Sequence, residues 1–383
     1  MNYKQASLIA FSGLMAFSCM EEDVPDNVSI NPPATYVFER DGASTVNYQG
    51  QTDRLNMLSE MKSYLVSGDR GEALSFQKLL DMYSNTNAPF SSEALNEAIT
   101  KQLENKTNAA QIDFYRSLMS DAAEVSQDVA ANNTAAADGI AGRIERGNTG
   151  NYVNVNEKGW EFTQFIEKGL MGAVFYDQIF NSYLSQAKIG ESVDNENLVE
   201  GKNYTTMEHH WDEAFGYWGV PTDFPNGDPV LTPEYKRFWA NYTDGRDGLL
   251  NVSQPLMDAY ILGRAAIVAK EHAVKSEQIE IIIDLHELVS AATAVHYIND
   301  AMGYLSSGDQ GNLLHVVSEA YTFVQALQFS PRKKISQSDI TAILTNDLGT
   351  DGNFWKVSSE SLQNAKDKLI TAYPELNDHA DAL

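Results

Sequence analysis

The stretch HHWDEAFGYWGVPTDFP, from His209 to Pro225, is matched later in the chain by HVVSEAYTFVQALQFSP, from His315 to Pro331. The aligned pairs are His209 with His315, Glu213 with Glu319, Ala214 with Ala320, Phe215 with Tyr321, Tyr217 with Phe323, and Pro225 with Pro331. Upstream, GAVFYDQ at 172–178 resembles TAVHYIN at 293–299. Two similar segments in the same order predict a duplicated helical unit.

Apolar residues recur at three- and four-residue steps through most of the chain, as in Leu55, Leu58, Met61 and Leu65. This spacing is typical of amphipathic helices, and no convincing run of alternating strand residues is evident. The helices predicted in this way cover residues 53–65, 71–83, 91–103, 109–125, 157–185, 205–217, 233–242, 254–273, 277–305, 312–329, 336–348 and 358–373. We therefore expect an all-α fold, a duplicated helical bundle of two pseudo-symmetric repeats in one compact body.

The N-terminus has the pattern of an export signal. Lys4 precedes an apolar run at 6–17 that is too short to span a bilayer, and Cys19 follows the small residue Ser18. Cys19 is the only cysteine and resembles the lipidated residue of lipoprotein signals, although a cleaved secretory signal is the alternative. The predicted organisation is a signal peptide at 1–18, an acidic flexible tether at 19–33 and a helical domain at 34–383, with repeats at about 50–225 and 233–383.

Three acidic residues, Glu21, Glu22 and Asp23, come almost directly after Cys19. This run resembles the signal that directs some bacterial lipoproteins to the outside of the outer membrane, and an ordinary solvated tether is the alternative. The expected location is therefore the outer membrane, with a lipid anchor and the body at the cell surface.

The charge of the chain excludes one class of partner. With 53 acidic and 27 basic residues, the formal net charge is −26, which opposes binding to nucleic acid. The hydrophobic fraction of 43% is nevertheless high enough to build a sizeable core.

Four residues that commonly bind metals lie within one predicted helix: His209, His210, Asp212 and Glu213. Imidazole with carboxylate suits iron or zinc, so these residues are a candidate site for a divalent or ferric ion. On a helix, only one of the two histidines can share a face with Glu213. The resemblance to a family motif described below favours His210 as its partner. A structural polar pair and a catalytic pair are the alternative interpretations.

The pattern His210-x-x-Glu213, followed by aromatic residues and Gly219, resembles the G-x-H-x-x-E motif of the imelysin-like superfamily. Its members are exported proteins with two helical-bundle repeats. This chain differs at Glu208, which replaces the motif glycine, and it contains no HExxH. A second segment, GQTDRLNML at 50–58, resembles the surface-lipoprotein branch and adds Gln51 and Arg54 as candidate site residues. For Arg54, an ion pair with Asp53 or Glu60 is the alternative.

The resemblance implies a surface lipoprotein that binds a metal or metal chelate in iron acquisition, or that docks on an outer-membrane receptor of an uptake system. One alternative is a metallopeptidase that uses His210 and Glu213. The other is an interaction module without a ligand.

Overall fold

A computed structural model describes residues 30–227 and 236–383. The chain is mostly helical there, which confirms the all-α prediction. The predicted signal peptide, Cys19 and the acidic run at 21–23 lie outside the described residues. The duplication of the bundle stays a prediction.

The helices follow the predicted series in order, with Gln186–Ile189 as an addition. Several bounds differ clearly: the helix predicted at 91–103 covers Glu93–Glu97, and the one predicted at 233–242 covers Trp239–Leu250. They are α1 (Gln49–Asp69), α2 (Phe76–Ser84), α3 (Glu93–Glu97), α4 (Ile112–Asn132), α5 (Phe162–Leu170), α6 (Gln186–Ile189), α7 (Thr206–Trp218), α8 (Trp239–Leu250), α9 (Ser253–Ala269), α10 (His272–Ser307), α11 (Gln310–Leu327), α12 (Gln337–Ala342) and α13 (Ser359–Ala372). Short 3₁₀ turns occupy Glu104–Lys106, Thr350–Gly352, Phe354–Lys356 and Pro374–His379.

Two of the helices continue as π-helix. Beyond α5, the chain forms π-helical turns at Met171–Tyr176 and Gln178–Tyr183, and α12 continues into Ile343–Asp347. The long helix predicted at 157–185 therefore begins only at Phe162 and changes its winding after Leu170.

Two antiparallel hairpins were not predicted. The first pairs β1 (Glu39–Arg40) with β2 (Ala43–Ser44), and the second pairs β3 (Gly142–Arg146) with β4 (Asn151–Val155). The second turns through GNTG at 147–150, where Gly147 and Gly150 adopt positive φ. Five-residue strands are too short for a clear alternating pattern, so no element was predicted between residues 125 and 157.

The core is centred on α10, which packs against both α9 and α11, while α11 also packs against α5. Within the described residues, α10 is the one helix long and apolar enough to cross a membrane, but most of its apolar stretch is buried inside the protein. Burial by neighbouring helices accounts for its composition without a bilayer.

Close contact between helices depends on small residues. A methyl group on Gly172 would lie 3.1 Å from the Cβ atom of Ala326, so this π-helical turn and α11 touch backbone to backbone. The absence of a side chain at Gly172 therefore allows the two elements to approach closely.

Candidate functional site

Helix α7 carries the predicted cluster, and its first residue is fixed by a capping box. The Thr205 hydroxyl accepts from the Glu208 N–H, and the Glu208 carboxylate accepts from the Thr205 N–H. Glu208 also binds Arg40 at 2.8 Å and Arg264 at 3.1 Å. Glu208, the residue that departs from the superfamily motif, therefore caps α7 and pairs with two arginines. Its carboxylate oxygens are occupied by these contacts.

Asp212 is also used internally. It is fully buried, and its carboxylate accepts hydrogen bonds from Arg264 Nε at 3.0 Å, the Tyr36 hydroxyl at 2.8 Å and the Asn47 N–H at 3.1 Å. Burial raises the pKa of Asp212, although the Arg264 guanidinium opposes that rise. These contacts hold α7 against α9 and the N-terminal segment.

Glu213 faces the start of α1. Its carboxylate accepts a hydrogen bond of 3.0 Å from the Gln51 amide, and His209 Nε2 lies 4.0 Å from the same oxygen. Gln51 also donates to the Tyr183 hydroxyl at 3.3 Å. The sequence favoured His210 as the partner of Glu213, and the structure gives that place to His209.

His210 turns instead toward α6. Its Nδ1 atom lies 2.6 Å from the Lys188 carbonyl oxygen, and its Nε2 atom lies 3.5 Å from the Lys188 ammonium. Burial lowers the pKa of His210, and the positive charge of Lys188 acts in the same direction. His210 is therefore neutral at neutral pH.

Both imidazoles are held in the same tautomer. Because a carbonyl oxygen can only accept, Nδ1 of His210 donates to Lys188, and Nδ1 of His209 donates to the Asn47 carbonyl at 3.0 Å. In the neutral ring, the lone pair then resides on Nε2. The lone pair of His210 faces the Lys188 ammonium, which leaves His209 as the imidazole in the form that usually contacts a metal, with Nδ1 held by a carbonyl oxygen.

Basic side chains surround this group. Lys106 interacts electrostatically with Arg54, Lys101, Lys188 and Glu213, and burial together with the three like charges lowers its pKa. We call Arg54, Lys101, Lys106 and Lys188 the basic cluster. In the described part of the chain, no carboxylate forms an ion pair with any of these four side chains. Glu213 is the acidic residue that interacts electrostatically with Lys106.

Arg54 is the buried member of the basic cluster. It donates to the Gln102 and Gly50 carbonyl oxygens at 2.8 and 3.0 Å. Among the described residues, Arg54 forms no ion pair with Asp53 or Glu60. Asp53 accepts from the Gln49 amide, and Glu60 accepts from the Ser91 N–H.

A family model described as a domain of unknown function (DUF4856) matches residues 33–374. The chain belongs to the DUF4856 family. No curated protein and no solved structure matches it. The resemblance to the imelysin-like superfamily stays a prediction.

The four predicted ligands of this DUF4856 chain separate into different surroundings. His209 and Glu213 form a pair, His210 faces Lys188, and Asp212 faces Arg264. Across residues 30–227 and 236–383, no group of three or more His, Cys, Asp or Glu side chains is arranged to hold a metal ion. Metal binding stays a prediction.

The second matched segment contains a similar pair. His315 Nε2 lies 3.4 Å from Glu319, with the same four-residue spacing as His209 and Glu213. His315 Nδ1 also binds Glu161 at 2.6 Å, and Lys168 lies 3.7 Å from Glu319. The carboxylate of Glu161 contributes most to raising the pKa of His315, against the effect of burial. This network is more buried than the His209–Glu213 pair and lies in the interior.

Sequence reasoning found Gln51, Arg54, His209, His210 and Glu213 but missed three lysines and a tyrosine that complete the group. Those residues are Lys101, Lys106, Tyr183 and Lys188, which come from the segment after α3, the 3₁₀ turn, the π-helical turn and α6. No local motif connects them, since only the fold brings them together.

Proposed function

We propose that this protein is a surface-anchored lipoprotein that binds an anionic metal chelate, with iron as the metal, as part of iron acquisition. The observation that carries the proposal is the basic cluster. Lys106 lies close enough to three other basic side chains and to one carboxylate, Glu213, to interact with all of them electrostatically, in a chain whose formal net charge is −26. Keeping like charges together in partly buried positions is unfavourable unless an anion neutralises them.

A chelate fits this group better than a bare cation. The excess of positive charge repels a free divalent or ferric ion, whereas a chelate with carboxylate arms carries negative charge toward the lysines. His209 Nε2 and the Glu213 carboxylate offer two donors, fewer than a protein-only site requires. A chelator supplies the remaining donors to its own metal.

Titration with ferric citrate tests the proposal. We expect wild-type protein to bind it, and Lys106→Gln and Lys188→Gln each to weaken binding by about tenfold through the loss of one charge-assisted contact. Lys356→Gln removes the same charge from an exposed position in a distant segment of the chain and serves as the matched control. If Lys106→Gln and Lys188→Gln bind ferric citrate as tightly as Lys356→Gln and wild type do, the basic cluster does not bind the ligand.

Two further arms separate the metal from the anion. Gallium citrate replaces iron without redox chemistry and should bind as ferric citrate does. Citrate without metal should bind more weakly, and His209→Ala should remove that difference because the imidazole contacts the metal. If neither form of citrate binds to wild-type protein, the hypothesis of an interaction module without a ligand takes precedence.

The lipid anchor is the second part of the proposal, and it rests on the sequence around Cys19. Cys19→Ala should release the protein into the soluble exported fraction, measured by partitioning after cell lysis. Neutralising Glu21, Glu22 and Asp23 together should lower labelling by antibody on intact cells. Unchanged labelling would remove the reason for surface display.

We also propose the relationship to the imelysin-like superfamily and the duplication of the bundle. The two His–Glu pairs at equal spacing, His209–Glu213 and His315–Glu319, support a common origin. An experimental structure should superpose residues 157–225 on residues 278–331. Unrelated packing of the two segments would mean that the sequence match arose by chance. An outer-membrane receptor of an uptake system is the expected partner, because a bound chelate must be passed onward.

A further inference from the structure

A separate cavity of about 420 Å³ lies between the C-terminal half of α1, the β3–β4 hairpin and the first turn of α5. It shares no residue with the group around Glu213. Its size falls in the usual range for small-molecule sites. The lining includes Lys62, Asp69, Arg70, Arg143, Arg146, Tyr152, Glu161 and Gln164.

Three guanidinium groups line this space, and we call it the arginine cavity. Arg143 donates to the Asn133 side chain at 2.9 Å and stacks over the Tyr152 ring at 3.7 Å, while Arg146 donates to the Asn312 side chain at 2.9 Å. Among the described residues, neither of them nor Arg70 forms an ion pair with a carboxylate. Arg146 does interact electrostatically with Glu161, whose pKa it helps to lower. In a chain with 53 acidic residues, three guanidinium groups around one cavity are nevertheless a concentration of positive charge.

The two carboxylates of the arginine cavity are engaged from behind. Asp69 accepts from the Asn154 N–H at 2.8 Å and the Thr163 hydroxyl at 2.7 Å. Glu161 binds His315 at 2.6 Å and accepts from the Gln164 amide at 3.3 Å. The positive charge of His315 offsets Glu161. Burial and the nearby Glu161 carboxylate raise the pKa of Asp69 to about 7, so Asp69 is only partly charged near neutral pH. The three guanidinium groups therefore leave the cavity with an excess of positive charge.

Two further features of the arginine cavity, the start of α5 and the Gln164 side chain, favour an anion that also carries hydroxyl groups. The first turn of α5 borders the space, and the partial positive charge of a helix N-terminus adds to that of the guanidinium groups. Gln164 is 7% exposed and donates its amide to Glu161, and its Oε1 atom has no hydrogen-bond donor in the described part of the chain. A hydroxyl group of a ligand is a suitable donor for that oxygen after a small side-chain adjustment.

We propose that the arginine cavity binds the oxyanion group of a hydroxyl-bearing small molecule, of the class of sugar acids and sugar phosphates. One guanidinium group can bind two oxygens of a carboxylate or phosphate at once, which orients the ligand as well as attracting its charge. The side chain of Tyr152 and the amide of Gln164 provide the contacts for the rest of such a ligand.

Calorimetry on the whole protein at low ionic strength tests this, with glucuronate and glucose 6-phosphate as probes. Both sources of the oxyanion should bind if the guanidinium groups recognise the shared chemistry, and the tighter of the two identifies the preferred source. Uncharged glucose should not bind. Failure of both anions to bind at millimolar concentration would overturn the proposal, as would equal binding of glucose.

Arg70→Gln is the primary variant, because Arg70 is exposed and its loss removes no ion pair within the described residues. It should weaken binding of the tighter probe by about tenfold. Arg146→Gln should do the same and provides a second, independent test. If both variants bind as wild type does, the guanidinium groups are not the recognition element and the proposal is wrong.

Cross-controls keep this test separate from that of the chelate site. Lys106→Gln should leave binding of the sugar anion unchanged, and Arg70→Gln should leave binding of ferric citrate unchanged. If Lys106→Gln weakens the sugar anion as much as Arg70→Gln does, the probe binds at the basic cluster and the arginine cavity has no ligand of this class.

Discussion

Replacement of Arg264 by methionine tests whether α7 is held in place by a buried group of charges. The Arg264 guanidinium is fully buried and binds Asp212 at 3.0 Å, Glu208 at 3.1 Å and the Thr45 hydroxyl at 3.2 Å. Methionine keeps most of the side-chain volume but removes the charge. Glu208 would retain Arg40, whereas Asp212 would keep only neutral donors.

The expected loss is about 3–5 kcal/mol of unfolding free energy, the usual effect of leaving a buried charge without its partner. The loss should shrink as pH falls toward 5. Without Arg264, the pKa of Asp212 rises further, so the proton that removes its unfavourable charge binds at higher pH.

Urea unfolding followed by tryptophan fluorescence measures this, because Trp211 and Trp218 are buried on the same helix. Lys270→Met is the control, since Lys270 follows α9 and makes an exposed ion pair with Glu196, and it should change stability by less than about 1 kcal/mol.

A double-mutant cycle identifies the cause. Asp212→Asn added to Arg264→Met removes the unpaired charge and should recover part of the loss. The reasoning is wrong if Arg264→Met alone costs less than about 1 kcal/mol, or if the second substitution recovers nothing.

Other predictions follow from buried side chains and close contacts. Burial lowers the pKa of His286 to about 3 from 6.5, so its contribution to stability is complete above pH 6.5 and declines as pH falls. His286→Phe should therefore lose less stability than wild type between pH 7 and pH 4.5 in urea unfolding, by roughly 2–3 kcal/mol. Gly216→Ala should displace the start of α1, because the new methyl group would lie 2.6 Å from the Tyr48 Cβ atom and 3.0 Å from the Gln51 Cβ atom. It should weaken ferric citrate binding in the same titration. Gly263→Ala should cost about 1–3 kcal/mol by crowding a neighbouring tryptophan, whereas Gly303→Ala, which meets nothing within 4 Å, should stabilise the protein by up to about 1 kcal/mol. Thermal unfolding of the two glycine variants compares them directly, and a stable Gly263→Ala would refute the packing argument.

The fold was largely predictable because the helices are long and their apolar spacing is regular. The features that were missed are local changes in winding or short pairings. The π-helical turns after Leu170 keep the apolar run unbroken, and the five-residue strands at 142–146 and 151–155 carry little periodicity. Neither leaves a strong signal in a single sequence.

The candidate site was only half predictable, for a different reason. His209 and Glu213 are neighbours on one helix, so their pairing follows from spacing. Glu208 was noted as a replacement of the motif glycine, although Thr205 three residues earlier forms the recognisable S/T-x-x-E signature of a capping box. The partner of Asp212 lies 52 residues away at Arg264, and such pairs are set by tertiary packing.

The placement of the basic cluster and the arginine cavity within so acidic a protein has a consequence for the rate of ligand capture. An anion far from the protein is repelled by the net charge of −26. It is attracted only when it comes close to the basic cluster or the arginine cavity. Added salt screens the long-range repulsion first, since the Debye length is about 10 Å at 0.1 M. The association rate should therefore rise with ionic strength while the lifetime of the bound state shortens. Stopped-flow measurements over a salt series would separate these two opposing effects, which an equilibrium constant combines into one.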